Sequence, residues 1–212
     1  RLPADRIRPL LLKIIMARPR EFDMDQALDA AMSTFWAQGY EATSMTDLVE
    51  ATGLQKGSLY KAFDDKHDLF MKSLSRYLDG AYTAMKIALS EGGTPGQRLH
   101  AWFQSVILMC RGESQRGCMA MNTSCELGSH DDQVSALLKQ HHARASDLLT
   151  ETIASAQQAG ELRDDISAAQ LSQILFTLGA GLLGTSKVLQ DDLDPEQLVA
   201  SALTIVSPPG AV

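Results

Sequence analysis

"TGLQKGSLYKAF", residues 52–63, carries two glycines, two lysines and a serine around a few apolar positions. A helix kept for stability alone buries one apolar stripe and avoids glycine near its middle. Just upstream, Ser44 precedes "MTDLVEATG", residues 45–53, which reads as an N-capped helix of about two turns that Gly53 closes in the left-handed conformation. A second short helix then runs from near Gln55 to Phe63, where "DDK" opens the next. Two short helices joined by a glycine-containing turn, after a longer amphipathic helix, form a helix-turn-helix pattern. Leu48, Val49, Leu54, Leu59 and Phe63 make its expected core, and Gln55, Lys56, Ser58, Tyr60 and Lys61 face outward.

A polar, net-basic helix face of that size fits a DNA major groove, where it reaches base edges while neighbouring groups hold phosphates. Gly57 allows close approach to a duplex, the Tyr60 hydroxyl suits one phosphate, and Lys66 another. A solvated helical hairpin is the competing reading for any one of these residues alone.

Outward from this stretch the pattern is helical. Ala27, Leu28, Ala31 and Phe35 form one face, and Leu69, Leu74, Tyr77, Leu78 and Ala81 a second. Val134, Leu137, Leu138, Ala145, Leu148 and Leu149 form a third, and Leu171, Ile174, Leu175, Leu178 and Leu182 a fourth. No strand alternation of comparable length competes, so the chain is expected to be all-α, with about nine or ten helices. Breaks are expected at "QGYEATS", "FDDK", "SEGGTPG", near "GSHDD", at "AGELRDDIS" and at "DDLDP".

The segment "GYEATSMTDLVEATGLQKGSLYKAFDDKHDLF", residues 39–70, resembles the DNA-binding domain of the TetR family of one-component transcriptional regulators. Gly39-Tyr40, Thr43-Ser44, Gly53, Gly57, Leu59-Tyr60, Phe63, Lys66 and Leu69-Phe70 carry the likeness. The resemblance implies a three-helix helix-turn-helix domain at 16–66 and a larger helical ligand-binding and dimerisation domain at 67–212. It implies a homodimer, a palindromic double-stranded operator, and repression relieved by a small-molecule effector; the cytoplasm is the expected compartment, and no cofactor is expected. Carried across by position, DNA contacts fall on Ser44, Thr46, Gln55, Lys56, Gly57, Ser58, Tyr60, Lys61 and Lys66. Met45 stands where many members have a phosphate-contacting threonine, so that contact passes to Thr43 or Thr46. "ARPREF", residues 17–22, resembles the family's basic arm, with Arg18 and Arg20 either entering a minor groove or solvated. Residues 1–15 are expected to be an upstream extension before Met16.

Charge agrees with two jobs. The net charge of −7 argues against a phosphate partner, but its distribution does not. Residues 1–66 hold nine basic and ten acidic side chains, and the rest holds ten and sixteen, so the acidity lies mainly outside the helix-turn-helix. No apolar run of about 18 residues spans a bilayer. The odd number of cysteines, Cys110, Cys118 and Cys125, lacks metal-type spacing and suits a reducing compartment.

The C-terminal part is then expected to dimerise and to sense. In "SQILFTLGAGLLGTSKVL", residues 172–189, Gly179, Ala180, Gly181 and Gly184 interrupt an apolar helix, which favours close helix approach. Leu175, Gly179 and Leu182, with Leu138 and Leu149, are the expected dimer surface, burial inside one subunit being the alternative. In "GCMAMNTSCELG", residues 117–128, helical spacing puts Cys118, Asn122 and Cys125 on one face, a sensing site with Trp102 and Phe176 as walls. Cysteine sensing of electrophiles or oxidants and ordinary core packing both remain open. Catalysis is not expected: His141 falls on the apolar helix face and His142 about 100° away, so the pair does not chelate one metal. A helical protein-interaction module is the reading left if the basic face binds no DNA.

Overall fold

A computed structural model describes residues 20–111, 116–189, 192 and 194–208, with side chains from Met24 onward. The expected extension at 1–15 and Arg18 lie outside the described residues, as does the Arg20 side chain. Nine helices and no strand occur among the described residues: α1 Arg20–Gln38, α2 Met45–Thr52, α3 Lys56–Ala62, α4 Lys66–Ser90, α5 Pro95–Cys110, α6 Met119–Leu127, α7 Asp132–Gln158, α8 Ala168–Leu189 and α9 Pro195–Val206. Two compact units divide between Ser73 and Leu74, consecutive residues of α4.

In the first unit, α1 buries Ala27, Ala31 and Phe35, one residue per turn. Gly39, at φ 86°, ends it where a side chain would be strained. The next helix is defined at both ends by local chemistry. Ser44 Oγ accepts from the Asp47 amide at 3.2 Å, and Asp47 Oδ2 accepts from the Ser44 amide at 2.8 Å, a reciprocal capping box. Such a cap stabilises a helix by about 1 kcal/mol. At the other end Gly53, at φ 66°, donates its amide to Val49 O. Leu48, Leu59, Phe63, Leu69 and Phe70 then close a small core under the turn, with Val49 and Leu54 half-buried at its edge.

The second unit is an aliphatic bundle. Leu99, Phe103 and Ile107 of α5 meet Leu149 and Ile153 of α7 and Leu175 of α8 in one continuous cluster. Burying side chains of this size is the main favourable term, worth roughly 1.5–3 kcal/mol each. Thr94 and Gln97 form a capping box with Pro95 at the first helical position of α5; Asp131 and Asp194 cap α7 and α9. Gln157 Nε2 donates to Arg163 O at 2.7 Å and Ile166 O at 2.8 Å, pinning the α7–α8 connection.

The expected dimer surface is corrected here. Leu149, Leu175 and Leu182 are almost fully buried in this unit's own core, and Gly179 lies buried against Trp102. Their spacing marks the stripe that packs within one chain, so they present nothing to a second copy. Leu138 is half-buried. Ile174, assigned to the same apolar face, is instead 54% exposed.

Candidate nucleic-acid interface

The α2–α3 pair presents one exposed polar surface. Leu59 and Phe63 anchor α3 from below, so Gln55, Lys56, Gly57, Ser58, Tyr60 and Lys61 are all exposed. Tyr60 is 46% exposed, a large aromatic surface for a residue beside a buried leucine. Gln55 occupies the N-cap of α3, and its side chain makes no capping hydrogen bond. A glutamine there is too long to cap in the manner of serine or asparagine, so its carboxamide is available to a base edge.

Gly57 lies in the first turn of α3, not near its middle as expected. A Cβ built on it meets nothing within 4 Å, and its φ is not positive. Neither packing nor backbone strain within the chain requires glycine at this position. The missing side chain leaves room for a close approach from outside.

On α2, Ser44 and Thr46 are exposed and Met45 is half-buried. Ser44 Oγ is occupied as an acceptor in the capping box, which leaves its O–H to donate to a phosphate. The same box holds the Asp47 carboxyl below its ordinary pKa, chiefly through the Ser44 backbone amide.

Two expected phosphate contacts are corrected. Thr43 is 1% exposed, and its hydroxyl donates to Gly39 O at 2.5 Å. The Lys66 ammonium is turned inward, donating to Tyr40 O at 2.9 Å and Thr43 O at 3.0 Å. Among the described residues, the exposed cations of the α2–α3 surface are therefore Lys56 and Lys61.

The expected sensing residues differ in burial and in partners. Cys118 is not inside α6 but is its N-cap, half-buried, with Tyr77 Oη donating to its Sγ at 3.5 Å. Burial first, and then the neighbouring thiol, push the Tyr77 phenol well above its ordinary pKa. Asn122 Nδ2 donates to Arg116 O at 3.0 Å, and its Oδ1 accepts from Lys187 at 3.3 Å. Cys125 is exposed. Trp102 is buried against Phe103, with ring centroids 4.6 Å apart, and Phe176 packs edge-on to His142 at 4.8 Å. Trp102 belongs to the hydrophobic cluster of the second unit and Cys118 and Phe176 pack against it, whereas Cys125 is exposed. Sequence spacing does not reveal Tyr77, because it contacts Cys118 from 41 residues away, whereas the capping role of Asp47 is readable in "SMTD".

Among the described residues no group of three or more His, Cys, Asp or Glu side chains is placed to hold a metal ion. No described helix is long and apolar enough to cross a membrane.

An N-terminal helix pair of this geometry, followed in the chain by a helical bundle, defines a class of DNA-binding regulator, and comparison with known proteins agrees. Residues 27–71 match the family described as bacterial regulatory proteins, tetR family, and residues 95–203 match the tetracyclin repressor-like C-terminal domain. The HTH-type transcriptional repressor ComR of Escherichia coli is 32% identical over 167 residues, 78% of this chain and 80% of its own. The uncharacterized HTH-type transcriptional regulator YezE of Bacillus subtilis is 29% identical over 187 residues, 84% of this chain and 96% of its own. Among solved structures, a cysteine mutant of the TetR family regulator CifR, complexed with 26-bp operator DNA, has a TM-score of 0.74 at 27% identity, covering 88% of this chain and 98% of its own. Reduced NemR of E. coli, at 17% identity, shares the fold with a TM-score of 0.77, covering 91% of this chain and 100% of its own. The chain belongs to the TetR family and is a DNA-binding transcriptional regulator.

Proposed function

We propose that the protein is a homodimeric repressor that seats the α3 helix of each copy in the major groove of a palindromic operator and is released by a small molecule held in the second unit. The observation that carries this reading is the α3 surface: six exposed residues from Gln55 to Lys61 stand over a buried Leu59, around a Gly57 that the fold itself does not need. Gln55, Lys56 and Ser58 are assigned to base edges, with Gln suited to adenine and Lys to guanine. Tyr60, Lys61, Ser44 and Thr46 are assigned to the DNA backbone. Successive half-sites would lie about one helical turn apart. A DNA partner places this work in the cytoplasm, and no catalytic step is assigned.

The exposed stripe Ile174, Thr177, Gly181, Thr185 and Val188 on α8 is assigned to the partner copy, because it lies opposite the face already buried in the core. Selecting duplexes from a random-sequence pool tests the reading. The wild type is expected to enrich a palindrome, and a Lys56→Ala, Tyr60→Ala double variant is expected to enrich nothing. Equal, weak binding of both proteins to every duplex would leave the chain as a helical protein-interaction module.

A second reading, release on modification of a thiol, is favoured at Cys118 by its contact with Tyr77. It is tested by adding N-ethylmaleimide to the protein–duplex complex and comparing wild type with Cys118→Ser.

A further inference from the structure

Lys66 opens α4 with its charge already satisfied inside the chain. Its Nζ reaches two backbone carbonyls, Tyr40 O at 2.9 Å and Thr43 O at 3.0 Å, and stands 4.2 Å from the centroid of the Tyr40 ring. Both carbonyls belong to the connection between α1 and α2. That connection is held from two other sides as well. The Tyr40 ring packs 4.8 Å from Phe70 and 6.2 Å from Phe35, both buried, and the Thr43 hydroxyl donates to Gly39 O at 2.5 Å.

The clamped connection leads directly into two groups of the DNA-facing surface. Ser44 is the next residue and Thr46 lies two further on, both exposed at the start of α2. A hydrogen bond to a phosphate needs its donor placed within a few tenths of an ångström, and a loose turn would scatter these two hydroxyls relative to α3. Drawing the Lys66 ammonium out to a phosphate would give up two charge-assisted hydrogen bonds and the ring contact, and would leave the Tyr40 carbonyl with only the Thr43 amide, 3.3 Å away.

We propose that Lys66 is a positioning residue for operator recognition: it fixes the α1–α2 turn so that Ser44 and Thr46 meet the DNA backbone in register with α3, and it does not itself neutralise a phosphate. This role rests on the DNA-binding function proposed for the α3 surface.

Salt dependence separates the two roles, because only a cation that neutralises a phosphate releases a counterion. The probe is a duplex selected by the wild type from a random-sequence pool, beside an unselected duplex of the same length, each titrated over a range of potassium chloride. Lys66→Met is expected to weaken the selected duplex about tenfold or more at fixed salt. The slope of log K against log salt stays at the wild-type value, and the unselected duplex binds as before. Thr43→Val, which loosens the same turn without removing a charge, is expected to repeat that pattern. Lys61→Met, at a cation assigned to the DNA backbone, serves as the contrast and lowers the slope by roughly 0.9 for each copy.

A slope loss of roughly 0.9 per copy in Lys66→Met, with both duplexes weakened alike, would overturn the inference and restore Lys66 to the phosphates. So would a binding loss in Lys66→Met and Thr43→Val that merely tracks the unfolded fraction seen by circular dichroism at the same temperature, since a positioning role lowers the selectivity of fully folded protein. A wild type that selects no sequence at all overturns the DNA-binding reading, and the inference falls with it.

Discussion

The ring of Trp102 lies across Gly179, so that a Cβ built on the glycine would meet Trp102 Cη2 at 3.6 Å and Val106 Cγ2 at 3.9 Å. These are ordinary contact distances, and Gly179 is in the interior of α8 with no positive φ. Glycine costs a helix about 1 kcal/mol relative to alanine, and a methyl group here gains packing without a clash. Gly179→Ala is therefore expected to raise the midpoint of urea unfolding, by an increment on the order of 1 kcal/mol. Gly179→Leu drives side-chain carbons into the Trp102 ring and is expected to lose about 1–3 kcal/mol. A destabilised Gly179→Ala would mean that the α5–α8 contact is closer than this geometry.

The two faces of α8 predict opposite phenotypes. Val188 is 81% exposed and Ile174 54% exposed, whereas Leu175 is fully buried. Exposed aliphatic groups on one helical stripe cost nothing to the folded single chain but mark a surface suited to a second copy. Ile174→Glu with Val188→Glu is expected to halve the mass seen by light scattering while far-UV circular dichroism stays helical. Leu175→Ala leaves a core cavity and is expected to lower stability by about 2–5 kcal/mol. If the glutamates leave the mass unchanged, the partner surface is elsewhere.

Features set by neighbours in sequence are legible without the structure, and features set across the fold are not. The Ser44–Asp47 box, the left-handed Gly53 and the limits of α2 and α3 follow from contacts within about four positions, where residue type decides backbone geometry. Thr43 and Lys66 look alike in sequence to Thr46 and Lys61, and what separates them is that Lys66 folds back onto carbonyls 23 and 26 residues away. Apolar periodicity locates a buried face without saying whether it is buried by the same chain or by another, and so it points Leu149, Leu175 and Leu182 to the wrong neighbour. The spacing of Cys118, Asn122 and Cys125 likewise leaves their burial unread. The Asn122 amide donates to Cys118 O at 3.0 Å, so helical spacing holds from the cap onward, but spacing does not tell that Cys118 adjoins the core while Cys125 is exposed.

His141 predicts a pH dependence of stability with a definite sign. Its ring is half-buried in the second unit, and Nδ1 is buried with no hydrogen-bond partner. Burial, reinforced by Arg144 and opposed by Asp79, holds its pKa below the ordinary 6.5. As pH falls through 6.5 the unfolded chain takes up a proton at this residue and the folded chain resists it. Stability attributable to His141 is thus present above that pH and declines below it, until the folded imidazole also titrates. Urea unfolding followed between about pH 7.5 and 5.5 should show wild type losing stability more steeply than His141→Leu. Parallel curves for the two proteins would show that the imidazole is hydrated in the folded state.

The three thiols occupy three environments and are expected to react in order. Cys125 is exposed, Cys118 is half-buried beside the Tyr77 hydroxyl, and Cys110 is buried, with burial pushing its pKa up. Because the thiolate is the nucleophile, accessibility and pKa act in the same direction at Cys110. Iodoacetamide at about pH 8, followed by mass spectrometry of peptides, should modify Cys125 first, Cys118 next, and Cys110 only when denaturant is added. The functional consequence need not follow the chemical order. An adduct on Cys125 extends into solvent, whereas one on Cys118 must displace the Tyr77 hydroxyl and press on the start of α6. Any release of a bound duplex by the reagent should therefore lag the first modification and keep pace with the second. Release that accompanies the Cys125 adduct, and persists in Cys118→Ser, would place the response on the exposed face of α6 and leave the Tyr77–Cys118 contact as packing alone.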